Sequence, residues 1–102
     1  MVLKKGVKMA DGIYRDNLAV GERLMVARFT LTAGSVVPEP KHEHEQVSYV
    51  VKGRLLYRLD GKEIVLSAGE AQLVPSHAVH GVTALEECEV IDVFSPVRED
   101  YV

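Results

Sequence analysis

Turn-forming residues interrupt this 102-residue chain every 8 to 16 positions, and no segment between them sustains a helical period. The breaks fall at Gly34-Ser35, Pro38 and Pro40, Gly53, Asp60-Gly61, Ala68-Gly69, Pro75, Glu86-Glu87 and Pro96. A helix needs a longer uninterrupted stretch with apolar residues every three to four positions, so short strands are what this spacing permits. Composition agrees. Valine accounts for 17 residues, against 3 isoleucines and no tryptophan. β-branched side chains suit a pleated surface and lose rotamer freedom in a helix.

Several segments alternate as strands do. In RLMVARFTLT (23–32), Met25, Ala27, Phe29 and Leu31 fall on one face. VSYVVK (47–52), EAQLV (70–74), VTAL (82–85) and EVIDVF (89–94) read likewise. RLLYRL and KEIVL flank Asp60-Gly61, a strong hairpin signal because the favoured two-residue turn needs positive φ at both positions. Pro38 and Pro40 confine 36–46 to an edge strand or loop. Residues 1–22, with Gly6, Gly12 and Gly21, read as an irregular arm with one short strand, preceding a barrel over 23–102. Short strands with regular turns predict an all-β sandwich or closed barrel.

Net charge is −3, which argues against nucleic acid as a partner, since phosphate binding needs a basic face. No apolar run approaches the roughly 18 residues that span a membrane as a helix. No apolar stretch follows Lys4 and Lys5, so no secretory signal is read at the start. Cys88 is the one cysteine; it excludes an internal disulfide and a thiolate zinc site, and a cytoplasmic setting is expected. No role is assigned to Cys88.

All four histidines lie in two short stretches, His42 and His44, then His77 and His80. On an extended chain His42, His44 and Gln46 share one side, and imidazoles two apart can converge on a metal ion. The competing reading of the pair is a solvated loop with ordinary histidines. His77 reads as a solvated loop residue.

The spacing around these histidines is more specific. Gly34, His42, Gln46 and Gly53 form one register, and Gly69, Pro75 and His80 form a second, with fifteen residues between Gly53 and Gly69. Over residues 24–95 this resembles the cupin superfamily, whose two motifs place glycine, two histidines, glutamate and glycine in the first and glycine, proline, histidine and asparagine in the second. The resemblance implies a double-stranded β-helix, the jelly-roll barrel. It also implies a divalent transition metal (Mn, Fe, Ni, Zn or Cu) held by His42, Gln46 and His80. Gln46 stands at the usual glutamate, Ala84 at the usual asparagine, and Pro40 at the usual first histidine. Two arrangements follow: His44 is recruited in place of residue 40, or the site has three ligands and is weak or empty. Glutamine for glutamate also leaves a bound metal more cationic.

IDVFSPVREDY (91–101) carries a further signature. Asp92 and Phe94 share a strand face, and an aspartate among Val90, Ile91 and Val93 is costly unless paired or used. Its bland reading is an Asp satisfied by backbone or by Arg98. Together with HEHEQVSYVVKG, this stretch is similar to KdgF-type cupins, which act in pectin and alginate breakdown and convert 4,5-unsaturated monouronates to linear keto acids. That similarity implies active-site roles for Asp92, Phe94 and Arg98. Arg98 would bind the uronate carboxylate, Asp92 would move protons, and Phe94 would form an apolar wall. Tyr49 and Tyr57 read as core residues or as cavity lining. Three activities stay open: a metal-dependent enzyme on a small sugar acid, a redox-metal cupin oxygenase, and a non-catalytic binder of a small molecule or metal. The expected partners are a small anionic molecule and, by resemblance, a second copy of the chain, contacted through the first sheet or an exchanged 1–22 arm.

Overall fold

The computed structural model describes residues 2–37 and 42–102, so Pro40 lies outside the described residues. Among them, ten strands form and no helix. They are β1 (Val7–Ala10), β2 (Ile13–Val20), β3 (Met25–Leu31), β4 (Val36–Val37), β5 (Glu45–Lys52), β6 (Arg54–Leu59), β7 (Lys62–Ser67), β8 (Ala71–Val74), β9 (His80–Ala84) and β10 (Cys88–Ser95). Every pairing is antiparallel. One sheet has the order β1-β2-β3-β10-β5-β8, and the other β4-β9-β6-β7.

The alternation read from sequence sets which side chains enter the space between the sheets. β10 buries Cys88, Val90, Asp92 and Phe94 and turns its other four residues outward. β3 buries Met25, Ala27 and Leu31 on the same face as Phe29. The core joins Ile13, Leu31, Val50 and Val90 of the large sheet to Leu55, Tyr57, Leu66 and Ala84 of the small one. Asp60 and Gly61 have φ of 49° and 82° and join Leu59 to Lys62, the tight hairpin that Asp-Gly announces. The short β4 lies at the edge of its sheet, as the prolines after it require.

Two sequence readings change. The first 22 residues are not irregular: β1 and β2 form a hairpin, and β2 pairs with β3 of the same chain from Ile13↔Leu31 to Val20↔Met25. Its inward residues are Ile13, Arg15 and Asn17. The alternation was hidden because two of these three are polar. Second, the strand read over 82–85 begins earlier: it is β9, whose first residue is His80, paired with Leu59.

Candidate functional site

One cavity opens between the sheets, lined by His42, Gln46, Ser48, Tyr57, His80, Asp92, Phe94, Arg98 and Tyr101 above an apolar base that includes Leu31, Leu55 and Val90. Three strands set the polar side chains. Asp92 and Phe94 are alternate residues of β10 and face inward with Gln46 and Ser48 of β5, to which they are register partners. His80 enters from β9 of the opposite sheet. His42 stands just before β5. Its carbonyl accepts a 2.8 Å hydrogen bond from the backbone N–H of His77, a residue with φ of 66°. His77 itself is exposed and serves through its backbone.

Hydrogen bonds order these groups. The Gln46 amide nitrogen donates to Asp92 Oδ2 and to Ser48 Oγ, each at 3.1 Å, and its oxygen faces His42 Nε2 at 3.1 Å. An amide oxygen only accepts, so His42 carries its proton on Nε2 and its Nδ1 is a bare acceptor. Ser48 Oγ also meets the Tyr57 hydroxyl at 3.2 Å. His80 Nδ1 lies 3.2 Å from the Ala78 carbonyl, which places its proton there and leaves Nε2 with a lone pair. The ring centroids of His44 and His80 lie 5.1 Å and 5.0 Å from that of His42.

Burial shifts the titration of this cluster. Asp92 is pushed up to about 6 by burial, against the opposing effect of hydrogen bonds from Ser48 and Gln46 and of the Arg98 charge. His42 is lowered to about 4 by burial, then by the positive charge of Arg98 and the neighbouring histidines. His80 is lowered, again chiefly by burial. Tyr57 is raised by burial and by Asp92. Near neutral pH the cavity therefore holds neutral imidazoles beside a carboxyl able to exist in both forms.

Arg98 reaches the cavity from the turn after β10. Its Nε and Nη2 bind Asp100 at 3.1 Å and 2.8 Å, so the carboxylate partner is Asp100 and not Asp92. Burial, the largest single effect, disfavours the guanidinium charge, but the Asp100 hydrogen bond together with the electrostatic effects of Tyr101, Asp100 and Asp92 outweighs it and the pKa is raised. Its Nη1 makes no hydrogen bond among the described residues.

The structure thus gathers His42, Gln46, His80, Asp92, Phe94 and Arg98 in one cavity. His44 stands beside His42 without lining that cavity. Tyr57 lines it, but Tyr49 faces outward and is 44% exposed. Ser48, Arg15, Asn17 and Tyr101 were missed. The signal for Ser48 was its place two residues from Gln46 on one strand face. Cys88 is buried, and its thiol donates to the Arg54 and Glu86 carbonyls.

The donor set fits a divalent transition-metal ion in kind: three imidazoles and an amide oxygen. His42 Nδ1 and His44 Nδ1 are also buried without a hydrogen-bond partner, as is Asp92 Oδ1. Such atoms cost stability unless a ligand, ion or water meets them. Among the described residues, no three His, Cys, Asp or Glu side chains are already gathered as a metal cage.

Comparison with known proteins agrees with this architecture. Residues 27–94 match the model of the cupin domain family. The chain is 33% identical over 96 residues to the pectin degradation protein KdgF of Dickeya dadantii, covering 92% of this chain and 87% of that one. The structure of KdgF from Halomonas superposes with a TM-score of 0.91 at 36% identity, covering 100% of this chain and 92% of that one. An RmlC-like cupin from Shewanella frigidimarina superposes with a TM-score of 0.90 at 37% identity, covering 93% of this chain and 86% of that one. The match spans both sheets and the strands that carry the cavity residues, and the chain therefore belongs to the cupin family, as a small cupin similar to KdgF.

Proposed function

We propose that this cupin takes a 4,5-unsaturated monouronate into the barrel and converts it to the linear keto acid. The observation that carries this reading is Asp92, a buried carboxyl with pKa pushed up to about 6 and Oδ1 free of protein partners, facing the same cavity as Arg98. Similarity to KdgF, a pectin degradation protein, supports the substrate class.

Each residue has a definable task. Arg98 offers its Nη1 edge to the substrate carboxylate. Phe94 forms an apolar wall against the sugar ring and excludes water. Asp92, as carboxylate, takes the proton of the anomeric hydroxyl. The carbonyl then forms as the bond from the anomeric carbon to the ring oxygen breaks, releasing an enolate. Return of a proton to the neighbouring alkene carbon gives the ketone. The net change is one proton moved from oxygen to carbon, with no oxidant and no second substrate. A side chain titrating close to the working pH is suited to both transfers. A divalent transition metal held by His42, His44, Gln46 and His80 would supply a Lewis acid that polarises substrate oxygens.

The test is incubation with unsaturated galacturonate, following loss of the enol-ether absorbance. Acceleration over the spontaneous reaction is expected, with Asp92→Asn slower by about 10²–10⁴-fold while remaining folded. No acceleration by the wild-type protein, with Mn, Fe, Ni, Zn and Cu each supplied, overturns the reading.

A further inference from the structure

The hairpin at the start of the chain and the turn that carries Arg98 meet at Tyr101. Arg15 and Asn17 of β2 are buried, at 4% and 1% exposure, although both are polar. Both bind the same atom: the Tyr101 carbonyl accepts from Arg15 Nη2 at 3.0 Å and from Asn17 Nδ2 at 2.9 Å. Arg15 Nε also donates to Asn17 Oδ1 at 3.0 Å, which fixes the pair. The Arg15 guanidinium carbon lies 4.1 Å from the Tyr101 ring centroid, and that of Arg98 lies 4.1 Å from the same centroid. Arg98 also lies over Phe94, at 5.2 Å, while the Phe94 and Tyr101 rings meet edge to face at 5.7 Å. The Tyr101 backbone N–H closes the turn on the Arg98 carbonyl at 2.9 Å. Two like charges thus share one aromatic ring, a costly arrangement unless ring and backbone are held by several contacts at once.

We propose that Arg15, with Asn17, is a positioning residue for Arg98: β2 holds Tyr101, and the Tyr101 ring with Phe94 holds the Arg98 guanidinium at the cavity. Arg15 does not line the cavity and has no direct contact to offer a ligand there. Its influence passes through Tyr101. The proposal rests on the functional reading above only in its kinetic consequence.

The decisive measurement is the Nε–Hε resonance of Arg98 in a nitrogen–proton correlation spectrum, assigned by its loss in Arg98→Lys. In Arg15→Met this resonance moves toward that of a solvated arginine and exchanges faster with water. With unsaturated galacturonate, Arg15→Met raises KM about tenfold with kcat little changed, because a substrate-orienting contact is weakened. In an Arg98→Met background the same substitution adds nothing to KM. Should Arg15→Met fail to fold, Tyr101→Leu removes the ring while keeping both bonds to the carbonyl, and the Arg98 resonance shifts likewise. An Arg98 resonance unchanged in a folded Arg15→Met or Tyr101→Leu protein overturns the proposal. So does a KM effect that multiplies in the Arg98→Met background. If the wild-type protein does not turn over the uronate, the functional reading alone fails, and the resonance still decides the role of Arg15.

Discussion

Ser48 shows how much a small side chain contributes inside this barrel. It is 1% exposed, accepts from Gln46 and meets the Tyr57 hydroxyl. Ser48→Ala leaves the Tyr57 hydroxyl without that partner in a buried place, and a loss of about 1–3 kcal/mol is expected in urea unfolding. The sequence displays Ser48 only as one polar residue in VSYVVK, whereas Asp92 is conspicuous because it interrupts EVIDVF with a charge. Arg15 and Asn17 are the opposite case. In the fold they share the inward face of β2 with Ile13, but nothing local in the sequence says that a guanidinium faces inward, because its partner is a backbone carbonyl 86 residues away. Site residues were legible where motif spacing or an out-of-place charge marked them, and hidden where distant chain segments satisfy them.

At the scale of elements, turn chemistry was the most legible feature. Gly53, between β5 and β6, has φ of 89°, and a Cβ there would meet the Glu87 carbonyl and lie 2.7 Å from Cys88 Sγ. Gly53→Ala combines left-handed backbone strain with a clash against main chain, so a severely destabilised or unfolded protein is expected in a thermal melt. The β2 strand was less legible, and Asp16 adds to its backbone ladder with β3. That carboxylate accepts from the Gly6 N–H at 2.7 Å and from Arg28 Nη2 of β3 at 2.9 Å. The Gly6 hydrogen bond, then that of Arg28, holds the Asp16 pKa below the ordinary carboxylate value. A lowered folded-state pKa adds stability above the unfolded-state pKa, and that stability disappears as pH falls through the folded-state value. Asp16→Asn is therefore expected to melt a few degrees below wild type at pH 7, the gap closing in strong acid.

For the whole molecule, a jelly-roll barrel with one cavity was readable because two glycine–histidine registers fall on strands that the topology brings face to face: His42 and Gln46 before and on β5, His80 on β9. Metal affinity belongs to this scale, since ligands from both sheets would be tied together and binding to the folded state alone raises its stability. Saturating Mn, Ni or Zn ion is expected to raise the thermal midpoint of the wild-type protein, reversibly on chelation, and to leave His80→Ala unmoved. An equal shift in His80→Ala places the metal elsewhere.

The inward residues also change character along each strand. β10 runs from Cys88 and Val90 to Asp92 and Phe94, and β5 from Gln46 and Ser48 to Val50, so one end of the barrel is apolar and the polar inward residues of these strands gather at the other, beside Phe94. Folding free energy comes mainly from the apolar end. The polar end contributes less, through the hydrogen bonds from Gln46 to Ser48 and Asp92. Exchanging Gln46, Asp92 or Arg98 for other side chains would change what the vessel holds while Val50, Leu55 and Val90 keep the vessel intact, which makes this small barrel a ready starting point for grafted chemistry.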